Sequence, residues 1–246
     1  MAPLPSPPGR PCASLKVSAA SPMLPADPDQ PTDSASGPEE GRGEGEASGR
    51  AAADLAARRE AITSGDPSRA MPALAGLRDV EVEQATPLLL LGLAQSAFMV
   101  RSLACAGLGV KRSEAGWQAL VDALQTDEDA NVRAEAANAL ASYGVARCWP
   151  LLRQSFIDDS QWLVRCSVLS ALAEQPEIPL EWLLELAALA LADADGTVRV
   201  GGAEILGRLV REAGPELARQ ARERLAPLQA DPDHRVVAAA LNGLQG

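Results

Sequence analysis

From Ala51 to the C-terminus the apolar positions follow a helical rhythm, and that rhythm itself recurs. Val-Arg pairs stand at Val100-Arg101, Val132-Arg133, Val164-Arg165 and Val198-Arg199, at intervals of 32, 32 and 34 residues, and a fifth copy reads Val236-Val237. Four residues after each valine comes Ala104, Ala136, Val168, Gly202 or Ala240, and eight after it Leu108, Leu140, Leu172, Leu206 or Leu244. Positions i, i+4 and i+8 share one face of an α-helix, so each copy predicts a helix with one buried stripe. The small residue at the centre of most stripes lets a neighbouring helix come close. A period a little above thirty residues is that of stacked helical units, none of which buries its apolar face alone.

Acidic residues punctuate the same period. Asp127, Asp159 and Asp193 stand six residues before the arginine, Asp129 and Asp195 four before it, and Asp231 and Asp233 match them in the last copy. An aspartate ahead of a helical run accepts hydrogen bonds from the free backbone N–H groups and suits the positive end of the helix dipole. Amphipathic runs at 116–125, 147–156 and 180–192 precede these signals and supply a first helix for each copy. Residues 65–77 fit the template with Ala70 in place of the arginine. The unit is therefore helix, tight turn, helix, with second helices expected at 66–78, 97–109, 129–142, 161–174, 195–210 and 233–245. The expected fold class is an all-α solenoid of about five to six helix pairs.

The run Asp-x-Asp-x-x-Val-Arg-x-x-Ala-x-x-Ala-Leu at 127–140 resembles the HEAT-like repeat named after phycobilisome lyases, and the resemblance extends over 51–246. It implies a cyanobacterial or plastid protein whose partner is another protein, such as a phycobiliprotein or a lyase partner subunit. Such repeats serve many binding roles, so the motif speaks for fold more than for function.

Ten of the nineteen prolines fall within residues 1–50, beside many Ser and Gly and with no long aliphatic run, which gives the expectation of a disordered tail at 1–50 and a repeat domain at 51–246. Residues 1–26 lack acidic groups and carry Arg10 and Lys16. A plain leader with a cytoplasmic protein is the first reading of that segment, and a transit peptide to the plastid stroma the second. A net charge of −11 argues against a nucleic-acid binder, which needs a basic stripe. Residues 85–100 carry no charge, but Pro87, Gly92 and Gln95 interrupt them and they are too short for a membrane span. The cysteines Cys12, Cys105, Cys148 and Cys166 form no CxxC pair, so neither zinc nor a disulfide framework is indicated.

Arg101, Arg133, Arg165 and Arg199 make the most regular polar column. Stacked helices would set them one above another beside Asp127, Asp129, Asp159, Asp193 and Asp195, as a structural ladder or, alternatively, as an anion-binding row. Positions two, three and six after each valine should face away from the stripe and line the concave face. They are small and mostly uncharged, with Asn138, Ser170, Glu204 and Asn242 at the sixth and Cys166 at the second. Either this is a groove for a partner helix or Ala-rich helices pack tightly there. Trp162, at the start of a second helix, is the candidate exposed anchor, whereas Trp117 and Trp149 occupy one core site in consecutive first helices. HEAT-like enzymes that resemble deoxyhypusine hydroxylase build an iron site from His-Glu dipeptides. Here His234 is the single histidine and Arg235 follows it, so no catalytic residue, metal or cofactor is expected and the chain reads as a protein-binding scaffold.

Overall fold

The structure, a computed structural model, describes residues 40–245 and the side chains of 49–245. Most of the segment expected to be a disordered tail lies outside the described residues. The first helix, α1 (Glu40–Ile62), begins ahead of the boundary expected at residue 50. The helix continues through an Ala-rich stretch without a breaker and delivers Leu55 and Ile62 to the core.

Eleven further helices follow among the described residues: α2 (Pro67–Ala75), α3 (Val82–Leu93), α4 (Phe98–Val110), α5 (Glu114–Thr126), α6 (Ala130–Ala141), α7 (Val145–Asp158), α8 (Trp162–Ala173), α9 (Leu180–Leu191), α10 (Gly196–Glu212), α11 (Pro215–Leu225) and α12 (His234–Gln245). They form six pairs, and the even-numbered members lie close to the six second helices expected from the period. From α3–α4 to α11–α12 each pair packs on itself, and the second helices stack in chain order, α2 on α4, α4 on α6, α6 on α8, α8 on α10 and α10 on α12. The result is an all-α solenoid.

Local chemistry fixes the helix ends. Asp66, Asp129 and Asp195 are N-caps whose carboxylates accept from the N–H two residues on, at 2.9, 2.8 and 2.7 Å. Ser113 caps α5 by accepting from Gly116 N at 3.1 Å. Pro67 and Pro215 take the first helical position, where no N–H is needed. Gly144 turns the chain from α6 into α7 at φ 106°, a conformation that side-chain-bearing residues rarely adopt.

The stripe read from the sequence is the core. Val100, Val132, Val164, Val198 and Val236 are fully or almost fully buried, as are Ala104, Ala136, Val168, Ala240, Leu108, Leu140, Leu172 and Leu206. Leu244, in the last copy, is half-buried. Trp117 and Trp149 are buried between first helices, where Trp149 stacks on Trp182 at 4.7 Å between centroids and Trp117 meets Tyr143 edge-on at 5.5 Å.

Small residues set how close the second helices come. A Cβ on Gly243 of α12 would stand 3.0 Å from the Gly207 Cα of α10, so those backbones touch. Gly243→Val should therefore push α12 off α10 and lower stability by about 1–3 kcal/mol. Gly214→Ala, in open space ahead of α11, should cost only a few tenths of a kcal/mol. Denaturant midpoints of the two variants check this, and equal midpoints would refute the close packing.

Candidate functional site

Two features stand out among the described side chains: the turn edge that carries the arginine column, and the face made by the second helices.

At the turn edge each arginine bridges two consecutive pairs. Arg101 donates from Nε and Nη2 to Asp127 at 2.8 and 2.9 Å, and from Nη1 to the carbonyls of Gln95 and Ser96 in its own turn. Arg133 repeats this with Asp159 at 2.7 and 3.1 Å, Arg165 with Asp193 at 2.5 and 2.8 Å, and Arg199 with Asp231 at 2.9 and 2.8 Å. Their Nη1 atoms reach Asp127 O, Asp159 O and Asp193 O respectively. The same carboxylates accept from the backbone N–H two residues on, those of Asp129, Gln161, Asp195 and Asp233, at about 2.8–2.9 Å. Each rung is thus a bidentate fork that ties one turn to the next, with its remaining hydrogen-bonding groups occupied by backbone.

The rungs are largely out of solvent, with side-chain exposures between 7 and 15%. Burial alone would raise the carboxyls of Asp127, Asp159 and Asp193. The arginine forks and the backbone N–H bonds outweigh it and hold all three below the usual range. Asp231 is lowered mainly by its bond from Arg199, and each guanidinium is raised mainly by its aspartate. Asp129 and Asp195, placed in the ladder from sequence, accept no arginine fork. They cap α6 and α10, and Asp231 supplies the fourth acceptor. With both groups of every rung paired, the column offers little to an outside anion.

On the face of second helices, Asn138, Ser170, Glu204, Asn242 and Trp162 are exposed and Cys166 is half-buried. Some neighbours expected to point outward are in fact packed between helices. Ala134 and Ser167 are buried, and the Ser167 hydroxyl donates to Ala134 O at 2.7 Å across the α6–α8 interface. Part of the small-residue pattern thus reflects close helix packing.

Between α8 and α10 the face opens into a groove of about 500 Å³ that brings Cys166, Ser170 and Glu204 together over Leu169, Val200 and Ile205. Asn138, Asn242 and Trp162 do not line it. Burial, then Asp195 and Asp193, push the Cys166 thiol up. Cys105 is buried and pushed up to about 12. Trp162 is 45% exposed, and Phe98, 40% exposed, holds the matching position of α4. That match sits two residues before Val100 and could have been read from the repeat alignment. His234 is exposed at the start of α12. Among the described residues, no group of three His, Cys, Asp or Glu side chains could hold a metal ion, and no helix is long and apolar enough to cross a membrane.

Residues 86–173 match the family model for HEAT repeats. The stacked pairs and the rungs continue the same architecture on both sides of that segment and support a HEAT-like repeat. No curated protein matches it. Among solved structures, Cex1p aligns with a TM-score of 0.56 at 15% identity, over 78% of this chain and 41% of that one. The chain therefore spans well under half of that structure, and the likeness concerns the fold alone. Human deoxyhypusine hydroxylase in complex with glycerol gives a TM-score of 0.40 at 17% identity, over 82% of this chain and 99% of that one. The complex of CpcE and CpcF of phycocyanin lyase from Nostoc sp. gives 0.36 at 22%, over 79% and 99%. Neither superposition is close enough to extend the comparison beyond a helical repeat.

Removing a rung should be costly because it leaves a buried carboxylate unpaired. Arg133→Ala should lose about 3 kcal/mol. Arg219→Ala should lose far less, since Arg219 bonds Glu216 and Glu223 on an exposed helix surface where solvent screens the pairs. The penalty at Arg133 should also depend on pH. A carboxyl lowered by folding stabilises fully above its unfolded value near 3.8 and loses that contribution as pH falls through the lower folded value. The gap between wild type and Arg133→Ala should therefore narrow below about pH 4 in denaturant titrations. A gap that is absent at pH 7, or constant down to strong acid, would overturn this account of the rungs.

Proposed function

We propose that the chain is a non-catalytic scaffold that binds another protein on the face of its second helices. The observation that carries this reading is the α8–α10 groove, an apolar floor of Leu169, Val200 and Ile205 with Ser170 and Glu204 at its edge. A large apolar side chain of a partner would be desolvated on that floor, and the polar edge would fix its orientation. The exposed Asn138 and Asn242 extend the same face with hydrogen-bonding amides. Cys166 contributes as a small apolar surface, and Trp162 offers an aromatic contact at the turn edge.

A narrower form of the proposal rests on the resemblance of the 127–140 motif to phycobilisome lyase repeats. In it the partner is a phycobiliprotein or a second lyase subunit, and the setting is the cyanobacterial cytoplasm or the plastid stroma. Coexpression with phycobiliprotein subunits and bilin tests that form, because coloured adducts should appear only if the chain takes part in chromophore attachment.

The broader reading is tested by Ser170→Arg combined with Asn138→Glu, with Glu223→Arg as a surface control. All three positions are exposed, so melting temperatures should stay within a degree or two of wild type. Partner affinity, measured by isothermal titration against a protein captured by the wild type, should fall about a hundredfold in the double variant as an unpaired charge is buried. Binding as tight as wild type would move the working surface elsewhere.

A further inference from the structure

The inner face opens in two places, and both follow from one repeat position. Leu74 in α2 and Leu169 in α8 each stand five residues after the valine position of their copy, taken by Arg69 and Val164; Cys105, Ala137 and Ala203 hold that position in three other copies, and Leu241 holds it in α12, after which no further helix follows among the described residues. Both leucines are buried, and each lines an opening between its own helix and the next second helix. The openings are a groove of about 200 Å³ between α2 and α4 and the one of about 500 Å³ between α8 and α10. Where the position is small the helices close. A Cβ on Gly109 would stand 3.0 Å from the Ala139 Cα, and the Ser142 hydroxyl donates to Gly109 O at 2.8 Å.

The two grooves have rims of opposite charge. Arg78 and Lys111 border the α2–α4 groove over Leu77, Leu103 and Val110. Glu174 and Glu204 border the α8–α10 groove, where Arg208 is held by Glu212 at 2.6 Å and by Ala173 O at 2.5 Å. Arg78, Lys111, Glu174 and Glu204 form no ion pair among the described residues.

We propose that the inner face takes one amphipathic helix of the partner laid across the second helices, with an acidic end over Arg78 and Lys111 and a basic end over Glu174 and Glu204. This rests on the docking reading given above and names the chemistry of the partner. The grooves lie three helix steps apart, roughly 25–30 Å at 8–10 Å per step, which a helix covers in about 17–20 residues at 1.5 Å each. The partner helix places one large apolar side chain in each groove. Between them the exposed Asn138 amide hydrogen-bonds its polar flank, and tightly packed Ala and Gly positions keep the floor shallow enough for close approach. Charge complementarity excludes a wholly acidic or wholly basic occupant, because either would meet like charge at one groove.

The test uses the full chain and three labelled synthetic helices of about 20 residues that share one leucine stripe: bipolar, all acidic and all basic. In fluorescence anisotropy at low salt the bipolar peptide should bind about tenfold more tightly than either other, and the advantage should shrink at about 0.5 M salt as exposed charges are screened. Glu174→Lys with Glu204→Lys should shift the preference to the acidic peptide, and Arg78→Glu with Lys111→Glu to the basic one. Circular dichroism melts establish that each variant is folded. Equal binding of the three peptides, or a ranking that neither reversal moves, overturns the proposal. If Ser170→Arg with Asn138→Glu abolishes binding of all three peptides while the reversals leave the ranking alone, docking on this face stands and its polarity falls. If that double variant also binds normally, both readings fall.

Discussion

The structure depends on the fork that each arginine throws across to the next turn. A helix pair of this kind has an apolar stripe on both sides and no reason of its own to stop sliding or rotating against its neighbour. The fork removes that freedom. Nε and Nη2 fit one carboxylate of the following pair, Nη1 takes the carbonyls of its own turn, and the carboxylate is itself held by the N–H two residues on. Such a rung is satisfied at one register, so its main consequence is directional, whatever its net contribution to stability. Where the rungs end, donor and acceptor disappear together. Ala70 and Gln95 replace both groups at the first interface, and Val237 stands where no further pair follows among the described residues.

Because the rungs pin one edge, spacing at the opposite face is left to side-chain size. Alanine and glycine bring backbones into contact, as between α10 and α12. A leucine five residues into the stripe lines an opening instead, as between α8 and α10. The small residues of the second helices therefore answer two demands, and neither reading of them suffices alone. Ala134 and Ser167 serve close packing, whereas Ser170 and Glu204 border an opening.

The fold was legible because it is written many times over. A valine, a small residue and a leucine at spacings of four, repeated at about 32 residues, fix both the helix and its neighbour, and the second helices of the structure lie close to those limits. The arginine column was legible for the same reason, but the division of labour between the two aspartates was not. Both lie before the helix, and which one caps it depends on the turn that the fork itself imposes. The start of α1 was missed because 40–50 is rich in Gly and Glu, with no apolar stripe to mark a helix. The grooves lay beyond a reading of single copies, since each depends on the residue of one helix and the gap it opens against the next.

That last point bears on how such a scaffold acquires a binding surface. From α4 to α12 every interface carries a rung and the stripe, because a failure in one interface uncouples the units on either side. The fifth position of the stripe carries no such demand. Leu169 is tolerated there as readily as Ala137, because the Arg165–Asp193 rung at the turn edge still fixes the register when the inner edge opens by a side chain. Variation at that position, at the exposed sixth one and at the helix C-terminal ends can thus place apolar openings, and the charges beside them, at chosen intervals along an otherwise constant stack. The face of this chain, with openings three steps apart and rims of opposite sign, is what that freedom permits.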